Sequence, residues 1–149
     1  MAPRQTGRVD SPAWLVVHLV SVAVLAGVGW VVQLVVYPAF WLVGAADWAS
    51  YHAAHTRAIT HVVAVPWLVQ GMSTAALLLA PASVGLVAAG VLAALAATTV
   101  AATVAVAVPA HGRLAAAAGD VDLAALLRAN LVRTLAWTAS TVVAAVLLV

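Results

Sequence analysis

Four long apolar runs, divided by shorter stretches that hold most of the polar residues, organise this chain. A helix that crosses a bilayer needs about 20 mostly apolar residues, and each run meets that length. The first, from about Pro12 to Val43, is entered through Ser11-Pro12, a capping residue followed by a first-turn proline. Trp14 and Trp41 mark its two interfaces. Gly44 to about Ser50 reads as a connection, with Asp47 or Ser50 able to cap the second helix. The second run extends from near Tyr51 to Leu79 and carries Pro66, which predicts a kink. Pro81-Ala82-Ser83 is so short a turn that the second and third helices must be antiparallel neighbours. The third covers about Val84 to Val108 and is expected to stop at Pro109. After a long connection from Ala110 to Asp122, Asp120 or Asp122 caps a fourth helix that continues to Val149. The expected fold is therefore all-α: one integral-membrane four-helix bundle, up-down-up-down, with both termini on one side.

Composition agrees: 66% of residues are hydrophobic and 7% charged, with mean hydropathy +1.16, too apolar for a domain that folds in water. Close helix approach would fall to small residues such as Gly27, Gly29, Gly85 and Gly90. The inventory also excludes chemistry. With no Cys there is no thiolate, disulfide relay or iron–sulfur cluster; with no Lys, no P-loop and no Schiff base; with no Glu, no ferritin-type di-iron centre. The net charge of +2 comes from scattered arginines, which leaves no footprint for nucleic acid. Arg4 and Arg8 ahead of the first run imitate a secretory signal, but the run continues past Ala26 to about Phe40, so an uncleaved helix is expected. Orientation stays open, because Arg4 and Arg8 argue for one side as cytoplasmic and Arg57, Arg113 and Arg128 for the other.

The polar residues gather on the side of the two long connections. Gln33 and Tyr37 lie in the second half of the first helix, and His52, His55, Arg57 and His61 open the second. His111 follows the third, and Arg128, Asn130 and Arg133 open the fourth. Only His18 lies near the terminal side. At about 100° per residue, Trp30, Gln33, Tyr37 and Trp41 share one stripe, and Asn130, Arg133, Thr134 and Trp137 another. Arg133 sits about 16 Å beyond Asp122, a depth at which a charge should face the bundle interior and find partners. His52, His55, His61 and His111 could form a set of imidazoles suited to copper, iron or zinc. In one straight helix, however, His61 points about 180° away from His52. Plainer readings stand beside these: solvated interfacial histidines for His52 and His55, a helix C-cap for His111, packing for His18, snorkelling for Arg133.

Tyr37-Pro38-Ala39-Phe40, His52-Ala53-Ala54-His55-Thr56-Arg57, Val108-Pro109-Ala110-His111 and Asn130-Leu131-Val132-Arg133-Thr134 with Trp137 resemble a group of small bacterial four-helix membrane proteins, and more distantly the anthrone-oxygenase-like family. Such proteins often carry Trp directly after the helix-four Asn and an acidic residue in the middle of helix two, where this chain has Leu131 and Gln70. The resemblance implies a multi-pass protein of the bacterial plasma membrane that oxidises a polycyclic aromatic or other lipophilic molecule. On that reading Gln33, Tyr37, Asn130 and Arg133 orient substrate oxygens. His52, His55, His61 and His111 either hold a metal or act as bases, with Arg133 stabilising the oxyanion. Two alternatives remain: a binding or transport module with an Arg/His site for an anion or lipid, and a haem bundle with His61 and His111 as axial ligands. Partners beyond the lipophilic molecule and membrane lipids are not implied, and oligomerisation is left open.

Overall fold

In a computed structural model the described residues, 11–149, form four long helices and, among them, no strand. Arg4 and Arg8, on which part of the orientation argument leans, lie outside the described residues. The helices are α1 (Ala13–Phe40), α2 (Ala45–Leu79), α3 (Leu86–Leu114) and α4 (Asp120–Val146), each long and apolar enough to cross a membrane. α1 packs on α2 and α4, and α3 on the same two, so the bundle is a closed ring in up-down-up-down order. Three apolar clusters stack along its axis. Leu15, Leu77, Leu92 and Ala144 fill the end near the short turn. Val22, Leu25, Ala26 and Trp137 fill the middle, and Tyr37, Phe40, Trp48, Leu114 and Leu126 belong to the cluster at the other end. We call these the turn end and the connection end.

Several boundaries differ from those the sequence predicts, each for a physical reason. α1 ends at Phe40 rather than Val43, and α2 starts at Ala45, six positions before Tyr51. Neither Asp47 nor Ser50 caps α2. Gly44 is the N-cap with extended backbone and no side-chain cap, Asp47 lies in the first turn, and the Ser50 hydroxyl donates to the Asp47 carbonyl at 2.9 Å. Likewise α4 is led by Gly119, with Asp120 and Asp122 both inside the first turn, where carboxylates favour the helix dipole without capping it. α4 ends at Val146 rather than Val149. Pro66 lies within a continuous α2. At the short turn α3 begins at Leu86 behind Gly85, whose φ of 82° is a left-handed conformation that glycine adopts without strain.

The largest departure is at Pro109. The helix does not stop there but runs on to Leu114, because a π turn over Thr103–Ala107 immediately precedes it. The Val108 N–H donates five residues back, to the Thr103 carbonyl, so the wider turn accommodates a ring that would otherwise meet the carbonyl four residues behind it. α1 repeats the device: a π turn over Val32–Val36, a Tyr37 N–H to the Val32 carbonyl, then Pro38. Val108-Pro109-Ala110-His111 thus matches Tyr37-Pro38-Ala39-Phe40 in structure as well as in sequence, a local repeat between α1 and α3 that the apolar pattern conceals.

Close packing rests on one of the four glycines expected to provide it. A methyl group at position 29 would come within 2.5 Å of Thr134 Oγ1, whereas Gly27, Gly85 and Gly90 have nothing within 4 Å. The contact at Gly29 brings α1 against α4 where Asn130 and Arg133 project.

Candidate functional site

The π turn in α1 rotates everything beyond it, and this breaks the stripe expected on that helix. Trp30 and Trp41 are exposed, Trp30 donating to Thr138 Oγ1 at 3.1 Å, while Tyr37 is turned into the core at 3% exposure. In α3 the corresponding turn and the helix beyond Pro109 carry His111 inward, so His111 is part of a side-chain network and not a helix C-cap. A stretch that the sequence reads as ordinary helix and one that it reads as a connection are therefore what bring Tyr37 and His111 together.

Three histidines and a tyrosine meet at the connection end. The Tyr37 hydroxyl lies 3.3 Å from His111 Nε2, and His111 Nδ1 lies 3.1 Å from His52 Nε2. Each ring nitrogen is either donor or acceptor in the neutral imidazole, so the chain has only two consistent polarities. Either Tyr37 donates to His111 and His111 to His52, or His52 donates to His111 and His111 to Tyr37. His55 packs against the same group, its ring centroid 4.9 Å from Phe40, 6.1 Å from Tyr37 and 6.5 Å from His111. Its Nε2 is buried and without a partner. Trp48 fixes the arrangement from outside, stacking on His52 at 5.4 Å and donating its indole N–H to the Leu114 carbonyl at 2.7 Å.

His61 stands apart. α2 is one uninterrupted helix, so the angular objection holds: His61 is exposed, and its Nδ1 lies 2.7 Å from the Arg57 carbonyl. It shares with His52 and His111 only a groove of about 540 Å³ between α2 and α3. Among the described residues no group of three or more His, Asp or Glu side chains is placed to hold a metal ion. His52 and His111 are hydrogen-bonded to each other, and His61, the expected axial partner of His111, is turned away from them.

Beneath the imidazoles lies the Arg133 layer. Arg133 turns into the bundle, not into lipid: it donates to Thr103 Oγ1 at 3.3 Å and to Asn130 Oδ1 at 3.2 Å, and its guanidinium stands 5.8 Å from the centre of the Trp137 ring. Asn130 in turn donates to the Gln33 side-chain carbonyl at 2.9 Å and to the Gly29 backbone carbonyl at 3.0 Å. The stripe Asn130–Arg133–Thr134–Trp137 is thus interior, as its spacing implies. No carboxylate pairs with Arg133; the one ion pair among the described residues is Arg113–Asp122, at 2.7 Å near the connection. Arg133 Nε is buried without a partner, as is Thr134 Oγ1. A buried N–H of a charged group left unpaired is costly, so Arg133 Nε is a strong donor still free to take an acceptor.

A second polar cluster is not visible from the sequence. His18 is fully buried, with Nδ1 at 3.2 Å from Ser73 Oγ and 3.4 Å from Thr74 Oγ1, and Nε2 at 3.0 Å from Ser140 Oγ. The Gln70 backbone carbonyl accepts from both Ser73 and Thr74, and its side-chain carbonyl accepts the Trp137 indole N–H at 3.0 Å, leaving Gln70 Nε2 unpaired. Depth is the signal that could reveal it. His18 lies a turn and a half inside the start of α1, and Ser73 and Ser140 lie at similar distances from the ends of α2 and α4, so antiparallel packing brings all three to one level.

Comparison with protein-family models, with curated proteins and with solved structures gives no match for this chain.

Proposed function

We propose that the chain is a membrane-embedded oxygenase that removes a proton from a lipophilic, carbonyl-bearing molecule, of the polycyclic aromatic kind implied by the resemblance to anthrone-oxygenase-like proteins. One observation carries this reading: His55 Nε2 and Arg133 Nε, a base and a cationic donor, are both buried and both unpartnered in the half of the bundle toward the connections, His55 against the Tyr37 ring and Arg133 held by Asn130 and Thr103. A proton-accepting imidazole together with a fixed positive charge is the pairing that enolisation needs, since the base takes a proton from the methylene conjugated to the carbonyl while the guanidinium stabilises the oxygen on which negative charge develops. Water-poor surroundings strengthen that stabilisation. Asn130, held by Gln33 and Gly29, fixes the guanidinium in place.

The Tyr37–His111–His52 chain supports the same reading. Its two polarities differ by one proton moved from the Tyr37 end to the His52 end, and His52 lines the groove that opens between α2 and α3. A proton delivered to Tyr37 thus has a route along the chain to the groove. The carbanion left behind is electron-rich enough to react with dioxygen directly. A methylene beside the carbonyl system becomes a new carbonyl, one dioxygen is consumed, and one water is released.

The test is dioxygen uptake by purified protein in nanodiscs with an anthrone as the probe, alongside metal analysis. Uptake of one dioxygen per quinone formed, in protein free of stoichiometric metal and insensitive to chelator, is the expected result. Activity that tracks bound copper or iron would replace this reading with a metal-dependent one. Tight binding of the probe with no uptake would make the chain a binding module.

A further inference from the structure

The groove between α2 and α3 has a chemical character of its own, independent of whether the interior site turns over a substrate. Its wall opposite α2 is formed by Gly112 at the end of α3 and by Ala115 just beyond it, and a methyl group built on Gly112 would meet nothing within 4 Å, so the space is open. Its polar rim comes from α2. The Thr56 hydroxyl donates to the His52 carbonyl at 2.8 Å, the Thr60 hydroxyl to the Thr56 carbonyl at 2.7 Å, and His61 Nδ1–H to the Arg57 carbonyl at 2.7 Å, because a carbonyl can only accept. With those hydrogens directed at backbone, the three side chains offer a ligand lone pairs: two hydroxyl oxygens and, in the neutral ring, His61 Nε2. Beside them stands Arg57, exposed, with no carboxylate lining the groove and no ion pair among the described residues. A complementary ligand brings one anionic oxygen for the guanidinium and hydroxyl groups that donate to the acceptors.

Depth names the source. Counting back from Leu79, where the tight turn closes the opposite side, Arg57 lies about 33 Å and His61 about 27 Å along α2, at 1.5 Å per residue. The hydrocarbon core is about 30 Å thick, so the rim sits where lipid glycerol and phosphate groups lie. We propose that this groove is a binding site for an anionic phospholipid whose head carries hydroxyl groups, as in phosphatidylglycerol, with Arg57 on the phosphate and Thr56, Thr60 and His61 accepting from the head-group hydroxyls.

Native mass spectrometry of the full chain from phosphatidylcholine nanodiscs, titrated with a second lipid, tests this. Phosphatidylglycerol should bind best, phosphatidylmethanol, with the same charge and no hydroxyls, more weakly, and added phosphatidylcholine least. Arg57→Gln should weaken both anionic lipids about five- to tenfold, the scale of one arginine at an anionic surface. Thr56→Val with Thr60→Val should remove the preference of phosphatidylglycerol over phosphatidylmethanol while leaving the charge dependence. Arg128→Gln, an exposed arginine away from the groove, should change nothing, which separates a site from general attraction. Equal binding of the two anionic lipids to the wild type, or an Arg128→Gln effect as large as that of Arg57→Gln, would overturn the proposal. So would displacement of the lipid by millimolar glycerol phosphate alone, which would mark a site for a soluble phosphate ester. None of these readouts involves dioxygen, so the proposal and the oxygenase reading fail separately.

Discussion

Both ends of this bundle bury a histidine among polar neighbours, and the two are used in opposite ways. At the turn end His18 has both nitrogens within hydrogen-bond distance of hydroxyls, Ser73 and Thr74 from α2 and Ser140 from α4, so the ring ties three helices together and offers nothing further. At the connection end His55 is held only by ring contacts with Phe40, Tyr37 and His111, and its Nε2 is left over. Below it Arg133 has two arms engaged and Nε unengaged. Where lipid is the solvent, polar side chains are needed for cohesion as well as for chemistry, and burial alone does not separate the two uses. Saturation of the histidine separates them: a ring with both nitrogens engaged is a clasp, and a ring with a nitrogen left over is a site.

The largest effect that distinguishes the two ends should come from Arg133. Removing one fixed donor from an oxyanion site costs about 10²–10³ in kcat, so Arg133→Ala should lower dioxygen uptake by that factor. Arg133→Lys, which keeps charge but loses the planar fork, should recover only a small part. Neither should lower the unfolding midpoint of the nanodisc-embedded protein; a folded, fully active Arg133→Ala would remove the site. His18→Ala should show the reverse. It opens a cavity and strips partners from hydroxyls on two helices, costing about 2–4 kcal/mol in denaturant unfolding, while the molecules that remain folded keep their turnover. Gly29→Ala forces a methyl onto Thr134 Oγ1 and should cost about 1–3 kcal/mol by overpacking. It should also lower activity, since Gly29 supports Asn130 through its carbonyl. Least affected should be Arg113→Gln. The Arg113–Asp122 pair is solvent-facing, with the arginine side chain 59% exposed, and such pairs contribute at most about 1 kcal/mol.

Much of this contrast is legible in the sequence, and the reasons differ between its parts. Four apolar runs and the short Pro81–Ser83 turn leave little choice but an antiparallel bundle, and Arg133 announces its inward direction because a charge that deep has nowhere else to go. The meeting of Tyr37, His52 and His111 is legible only as a shared side of the membrane. Its geometry depends on π turns at Val32–Val36 and Thr103–Ala107, and a proline normally signals a helix stop instead of a widened helix that continues. A shared side of the membrane groups His61 with the other histidines, but its helical spacing argues against the grouping, and the continuity of α2 sends it outward. His18 gives no local signal at all, since its partners lie 55 and 122 positions away and only matched depth connects them. Asp47 and Asp120 look like caps by residue type, but glycines one or more positions earlier take the extended backbone that a cap requires.

Dioxygen uptake by His55→Gln and His18→Gln proteins in matched nanodiscs, each normalised to its folded fraction, tests most directly whether saturation divides clasp from site. Loss of an acid–base group costs about 10²–10⁴ in rate, so His55→Gln should fall by at least about 10² while His18→Gln, once corrected for folding, should match the wild type. Equal losses in both, or an active His55→Gln, would contradict the account.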